Sequence, residues 1–263
     1  TPFAVISDKA NNRKYPIADY SLTPTVAIVD PALVLTVPGF VAADTGMDVL
    51  THATEAYVSQ MASDYTDGLA LQAIKLVFEN LESSVKNADF HSREKMHNAS
   101  TIAGMAFANA FLGISHSMAH KIGAQFHTIH GRTNAILLPY VIRYNGTRPA
   151  KTATWPKYNY YRADEKYQDI ARMLGLPAST PEEGVASYAK AVYELGERVG
   201  IEMNFKAQGV DEKEWKEHSR ELAFLAYEDQ CSPANPRLPM VDHMQEIIED
   251  AYYGYKERPG RLK

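Results

Sequence analysis

From residue 40 to residue 255, apolar residues recur at the helical period in stretch after stretch, and no convincing strand pattern appears beyond Pro38. The stretches are 40–62, 66–87, 92–112, 115–127, 132–144, 164–174, 181–199, 211–228 and 241–255, with Gly and Asn punctuating several of the gaps. A Pro- and Tyr-rich run, residues 149–161, reads as an irregular link between the fifth and sixth. The pattern predicts a mainly α fold, an all-helical domain over residues 38–263.

Residues 1–37 read differently. Phe3-Ala-Val-Ile6 and Val26-Ala-Ile-Val29 are short β-type runs, separated by the polar, turn-rich residues 8–21. Two isolated strands are marginal in water, and the chain opens on Thr1. The expectation is that residues 1–37 are the tail of a larger sheet whose other strands lie upstream.

With 263 residues, 45% hydrophobic and 22% charged, the chain can bury a sizeable core in one or two domains. A net charge of -5 with no basic stripe argues against a nucleic-acid or anionic-membrane partner. No 18-residue apolar run and no secretory leader are present, so no membrane span and no export are expected. Cys231 is the only cysteine, which excludes an internal disulfide and fits a reducing compartment. The expected location is the cytoplasm, with Cys231 a small buried hydrophobe.

Chemistry concentrates in two runs. Asp48-Val-Leu-Thr-His52 places a carboxylate and an imidazole at i,i+4, on one face of a helix and roughly 5 to 6 Å apart at Cβ. The alternative is that Asp48 is a first-turn acid of a helix capped by Asp44 or Thr45, and His52 a packed polar residue. The second run, His116-Ser-Met-Ala-His120 continuing to His127 and His130, keeps four histidines in one angular sector of a straight helix. At 1.5 Å per residue that helix would hold His116 and His130 about 21 Å apart, so the backbone must bend if both grip one ion. Gly123 and Thr128-Ile129 are the places for the bend. A carboxylate with imidazoles suits Fe(II), Zn(II), Co or Ni rather than Mg or Ca.

Other frameworks are missing. The sequence contains no GxGxxG, GxxxxGK, GxSxG or HExxH motif; His52-Ala-Thr-Glu55 has the order wrong for the last. No CxxC pair exists, which removes the common structural-zinc frameworks.

The chain resembles the iron-containing (group III) alcohol dehydrogenase family across essentially its whole length. The carrying stretches are residues 23–31 (Thr-Pro-Thr-Val-Ala-Ile-Val-Asp-Pro), 46–57, 103–107, 113–123 and His130-Gly131. Lys157-Tyr158, residues 163–176 and Asp229-Gln-Cys-Ser-Pro-Ala-Asn-Pro-Arg237 are most similar to the alcohol dehydrogenase half of bacterial bifunctional aldehyde-alcohol dehydrogenases. The resemblance implies a dinucleotide-binding domain, of which residues 1–37 would be the C-terminal remnant, followed by a helical metal-binding domain. It places the metal ligands on Asp48, His52, His116 and His130, and a residue near the nicotinamide nucleotide on Lys14. His120 falls where the family has a histidine beside the substrate, and is assigned positioning or proton relay, the alternative being a hydrogen bond to a ligand or backbone group; Phe107 is a candidate to line the cofactor or substrate pocket, the alternative being a core aromatic. Ile129 departs from the proline usual before the last ligand, which alters the bend without removing His130.

The function so implied is reversible NADH-linked reduction of a short aldehyde, acetaldehyde to ethanol, with Fe(II) as the metal, Zn(II) as an alternative occupant, and NAD as the coenzyme. The partners would be a small aldehyde or alcohol and, for the assembled enzyme, further copies of itself in a homo-oligomer or filament. Two alternatives are a metal-dependent lyase, synthase or hydrolase on a similar scaffold, and a non-catalytic filament-assembly module.

Overall fold

The computed structural model describes residues 1–8, 13–149 and 161–254. Most of residues 149–161, Lys157-Tyr158 included, and the side chain of Lys14 lie outside the described residues. Among the described residues the chain is mainly α, as the periodicity predicts. Its helices are α1 (Gly39–Val58), α2 (Asp64–Lys86), α3 (Phe90–Ala110), α4 (Ile114–Gln125) and α5 (His130–Gly146), then α6 (Ala163–Met173), α7 (Pro181–Arg198), α8 (Glu212–Tyr227) and α9 (Val241–Tyr253).

Several helices begin on devices written in the sequence. Ser63 and Thr66 form a reciprocal capping box at α2, the Asp89 carboxylate accepts the Ser92 N–H at α3, and Asp211 accepts from the N–H groups of Lys213 and Glu214 at α8. Each such cap contributes about 1 kcal/mol.

α5 is the axis of the body. One side of it, through Ala135, Leu138 and Ile142, joins a core of aliphatic residues and the tyrosines Tyr57, Tyr167 and Tyr188, built with α1, α2, α3, α6 and α7. The opposite side, through Ile136, Leu137, Tyr140 and Val141, joins a second core with α4, α8 and α9. That second core is aromatic: Trp215, 1% exposed, stacks at 4.8 to 5.1 Å on Phe205, Tyr252 and Phe126. Such ring pairs add about 0.5–1.5 kcal/mol each beyond the area they bury. The helix that serves both cores carries its apolar residues on opposite sides and keeps polar residues such as His130, Arg132, Asn134 and Arg143 toward its two ends.

The beginning of the chain departs from expectation. Residues 26–29 form no strand; Val26 and Ile28 are exposed, and no segment among the described residues pairs with them in a ladder. The strands are instead β1 (Phe3–Asp8) and β2 (Arg13–Ala18), an antiparallel pair in register from Phe3↔Ala18 to Asp8↔Arg13. β2 sits inside the segment read as turn-rich, because Arg13-Lys-Tyr-Pro-Ile lacks a clean alternation and Pro16 argues against a strand except at an edge. The hairpin packs by Phe3, whose ring lies 5.6 Å from Phe107 and 5.5 Å from Phe111.

No single described helix is long and apolar enough to cross a membrane. α3 and α4 are apolar as a pair, but the chain turns by 107° between them. Phe111 takes φ 61° at that turn.

Candidate metal centre

α1 starts at Gly39, five residues before Asp44 and without a side-chain cap. Asp48 is therefore a mid-helix acid and not a first-turn one. Asp44, expected as a cap, is buried and paired with the Arg132 guanidinium at 2.9 and 3.0 Å. The fork-on-carboxylate geometry ties α1 to the first turn of α5. Gly131 makes that approach close: a Cβ there would lie 2.2 Å from the Asp44 carbonyl oxygen and 3.1 Å from the Asp48 Cβ.

The bend demanded by the histidine spacing falls at the later of the two places named for it. Gly123 stays inside α4, which ends at Gln125, and α5 opens at His130. Between them His127 takes φ 54°, in the left-handed region that histidine tolerates better than most side chains.

These two junctions bring the candidate ligands together. Ligand atoms of Asp48, His52 and His116 all lie within 4.8 Å of one another. The Asp48 carboxylate is 4.0 Å from His52 Nδ1, 3.7 Å from His116 Nε2 and 3.8 Å from His130 Nε2. The rings of His116 and His130 are 5.4 Å apart, and Asn134 donates to Asp48 at 2.8 Å while touching His130 Nε2 at 3.3 Å.

The donor set passes a physical test for a cation. His116 Nε2 is fully buried and has no hydrogen-bond partner among the described residues. A buried nitrogen left unpaired costs about 1–3 kcal/mol, unless something outside the chain uses its lone pair. Burial, then the neighbouring His52, pushes the His116 pKa well below its ordinary value, so its imidazole is the neutral form a metal needs. Burial works against the charge on Asp48, yet His52, His130 and His116 outweigh it and hold the carboxyl below its usual range. One carboxylate and three imidazoles around one gap fit a divalent transition metal.

His120, one turn after His116, has its ring 5.5 Å from His130 and nearly parallel to it. Its Nδ1 is 3.2 Å from Asp229, which also accepts from the Lys121 ammonium at 2.8 Å. Burial raises the Asp229 pKa, but the bonds from His120 and Lys121 prevail and keep it well below the usual carboxylate range. Cys231 lies against the same carboxylate, its backbone N–H donating at 3.0 Å, and burial pushes its thiol up. His120, Asp229 and Cys231 could by proximity hold a second ion. The Lys121 ammonium already balances the Asp229 charge, and a protonated thiol is no ligand.

Phe107 stacks on His52 at 4.6 Å and 19°. His127 is not part of the cluster; it lines a cleft of about 450 Å³ with Gln125, Thr128, Arg132 and Gly209. Sequence reasoning missed Glu55, Asn134 and Asp229. A signal existed for two of them: Glu55 follows His52 by three residues and Asn134 follows His130 by four, so each shares a helix face with a candidate ligand. Asp229 is remote in sequence from His120 and Lys121, the two side chains it binds.

Residues 42–252 match the Fe-containing alcohol dehydrogenase family, C-terminal part. The chain is 97% identical over 263 residues to the aldehyde-alcohol dehydrogenase of Streptococcus pneumoniae serotype 2 (strain D39 / NCTC 7466), covering all of this chain and 30% of that protein. The iron-containing alcohol dehydrogenase of Thermococcus thioreducens is similar in structure, with a TM-score of 0.84 and 34% identity over 97% of this chain and 61% of that one. So is a sulfoacetaldehyde reductase from Bifidobacterium kashiwanohense solved in complex with NAD+, with a TM-score of 0.76 and 28% identity over 95% and 60%. With four fifths of its length inside the family match and its backbone following solved members, this chain belongs to the Fe-containing alcohol dehydrogenase family, and its helical body is that family's C-terminal part.

Proposed function

We propose that this protein is a metal-dependent alcohol dehydrogenase that reduces a short aldehyde, acetaldehyde to ethanol, reversibly and with NADH. The observation that carries the reading is the unpartnered, buried Nε2 of His116 facing Asp48, with His52 and His130 beside it. Asp48, His52, His116 and His130 would hold the ion, Fe(II) in the cell with Zn(II) as an alternative occupant. When bound, the ion supplies Lewis acidity at the carbonyl oxygen and NADH supplies the hydride.

The chain's own residues do the rest. Reduction of a carbonyl consumes a proton as well as a hydride, and His120 is the group placed to deliver it. Its Nδ1 is engaged by Asp229, so Nε2 remains for exchange with the substrate oxygen. Lys121 balances the Asp229 charge, which keeps that carboxylate an acceptor while His120 changes its protonation. Phe107, flat on His52, fixes that ring and presents an apolar wall that favours a short alkyl substituent and keeps water out.

NAD as the coenzyme is supported by the family's likeness to a reductase solved with NAD+. Lys14 is proposed at the nucleotide on the resemblance alone. A cytoplasmic location is supported by the single, buried cysteine.

The test uses the full-length protein, stripped of metal under anaerobic conditions and then given Fe(II) or Zn(II). Acetaldehyde-dependent loss of NADH absorbance should appear with the ion and vanish without it. No turnover of any short aldehyde with either ion, while another substrate is hydrolysed or eliminated, would overturn the reading.

A further inference from the structure

Glu55 pairs with no lysine or arginine among the described residues, yet it is 2% exposed. Its carboxylate accepts two backbone N–H groups from the segment that opens α4, that of Gly113 at 3.0 Å and that of Ser115 at 2.7 Å, and it lies 2.6 Å from Nδ1 of His116. α4 has no side-chain cap of its own, so an acid from α1 satisfies its first orphan donors from across the interface. The approach is tight. A Cβ on Gly113 would sit 2.8 Å from Glu55 Oε1 and 2.8 Å from Asn235 Oδ1, so only glycine fits at that corner.

The third bond has a chemical consequence that the two backbone bonds do not. Burial pushes the Glu55 pKa up to about 7 against the backbone N–H bonds that favour its charge; as the carboxylate it only accepts, which puts the His116 proton on Nδ1 and the lone pair on Nε2. That is the atom with no hydrogen-bond partner among the described residues, 3.7 Å from Asp48. On α1, Asp48, His52 and Glu55 fall at i, i+4 and i+7, so one face of one helix carries two candidate ligands and the acid that aims a third.

We propose that Glu55 is a positioning residue for the metal: it locks His116 in the Nδ1–H tautomer and turns Nε2 toward the cation. Carboxylate partners of this kind raise the basicity of a ligand histidine, and their loss typically weakens metal binding 10–100-fold. The inference rests on the metal site proposed above.

The experiment measures Zn(II) affinity by chelator competition in the full-length protein, in a cycle of Glu55→Gln, His116→Ala and the double variant. Gln fills the same volume and its oxygen still accepts a backbone N–H, but its amide cannot be relied on as an acceptor for His116. Glu55→Gln should weaken Zn(II) about 10–100-fold. It should weaken it no further once His116 is alanine, because its effect passes through that ring. A purely structural cap would lower the melting temperature of the metal-free protein and leave affinity unchanged, or would weaken affinity equally in both backgrounds; either result overturns the proposal. If His116→Ala itself leaves Zn(II) affinity untouched, the metal site has failed rather than this inference alone. Should Glu55→Gln not fold, 15N-histidine NMR of the zinc-loaded wild type decides: a proton on His116 Nδ1 with zinc on Nε2 supports the proposal, and the reverse tautomer overturns it.

Discussion

The site has two unlike walls. One comes from α1 and the start of α5, and its side chains Asp48, His52 and His130 are 18%, 20% and 33% exposed. The other comes from α4, where His116 and His120 are 1% and 7% exposed and each has a carboxylate behind it, Glu55 for the first and Asp229 for the second. The difference follows from desolvation. A half-exposed histidine finds water for whichever nitrogen is not in use, while a buried one must have both nitrogens answered by the fold or by a ligand. The buried wall is therefore bound into the stability of the protein, and the exposed wall is free to serve chemistry alone.

The sharpest way to break that contrast is to remove one histidine from each wall. His116→Ala and His52→Ala should both lower aldehyde reduction by at least about 10²-fold, as loss of the electrophilic site requires. Only His116→Ala should also destabilise the metal-free protein, by about 1–3 kcal/mol, since it strips a donor from the buried Glu55 carboxylate. His52→Ala gives up only a ring contact with Phe107 and should cost less than about 1 kcal/mol in thermal melts. Equal losses of stability would erase the distinction.

Gly131→Ala attacks the exposed wall through its backbone. The added methyl meets the Asp44 carbonyl and forces α5 away from α1, which should cost about 1–3 kcal/mol and weaken metal binding together, read by melting and by chelator competition.

Asp229→Asn probes the buried wall through pH. The folded-state pKa of Asp229 is depressed, so its contribution is present above the pKa of an unfolded aspartate, about 4, and is lost as pH falls below it. The variant should be less stable by about 1–3 kcal/mol near neutrality. The gap to wild type should narrow in melts taken from pH 6 down to pH 3. A gap that widens on acidification would contradict the assignment.

The smallest effect is expected at the mouth of the exposed wall. Ile129 holds φ -65°, ψ 128°, a conformation that proline adopts without strain. Ile129→Pro should leave the metal bound and raise stability by up to about 1 kcal/mol through the unfolded chain.

The helical body was legible because its pattern is one-dimensional. Apolar period, capping residues such as Ser63 and Asp211, and glycine punctuation are local, and the predicted stretches coincide with α1 to α9 to within a few residues at each end. The strands were not, since pairing is decided by a neighbour. Val26 to Val29 has the right residues and pairs with no strand among the described residues, whereas Arg13 to Ala18 has a proline and pairs with Phe3 to Asp8. In the site, Asp48 and His52 were readable as an i,i+4 pair, and His116 and His130 through the bend they require. Asp229 was invisible because it meets His120 only through tertiary packing, 109 residues away. Asp44 misled, because an acid near a helix start looks like a cap until the arginine that claims it from α5 is known.

The most direct measurement is anomalous diffraction from crystals of the full-length protein loaded with Fe(II) under anaerobic conditions, recorded either side of the iron absorption edge. Our account predicts one strong iron peak at about 2 Å from an Asp48 oxygen and from ring nitrogens of His52, His116 and His130, with His116 bound through Nε2. An iron peak elsewhere, or an iron atom that His116 does not touch, would contradict it.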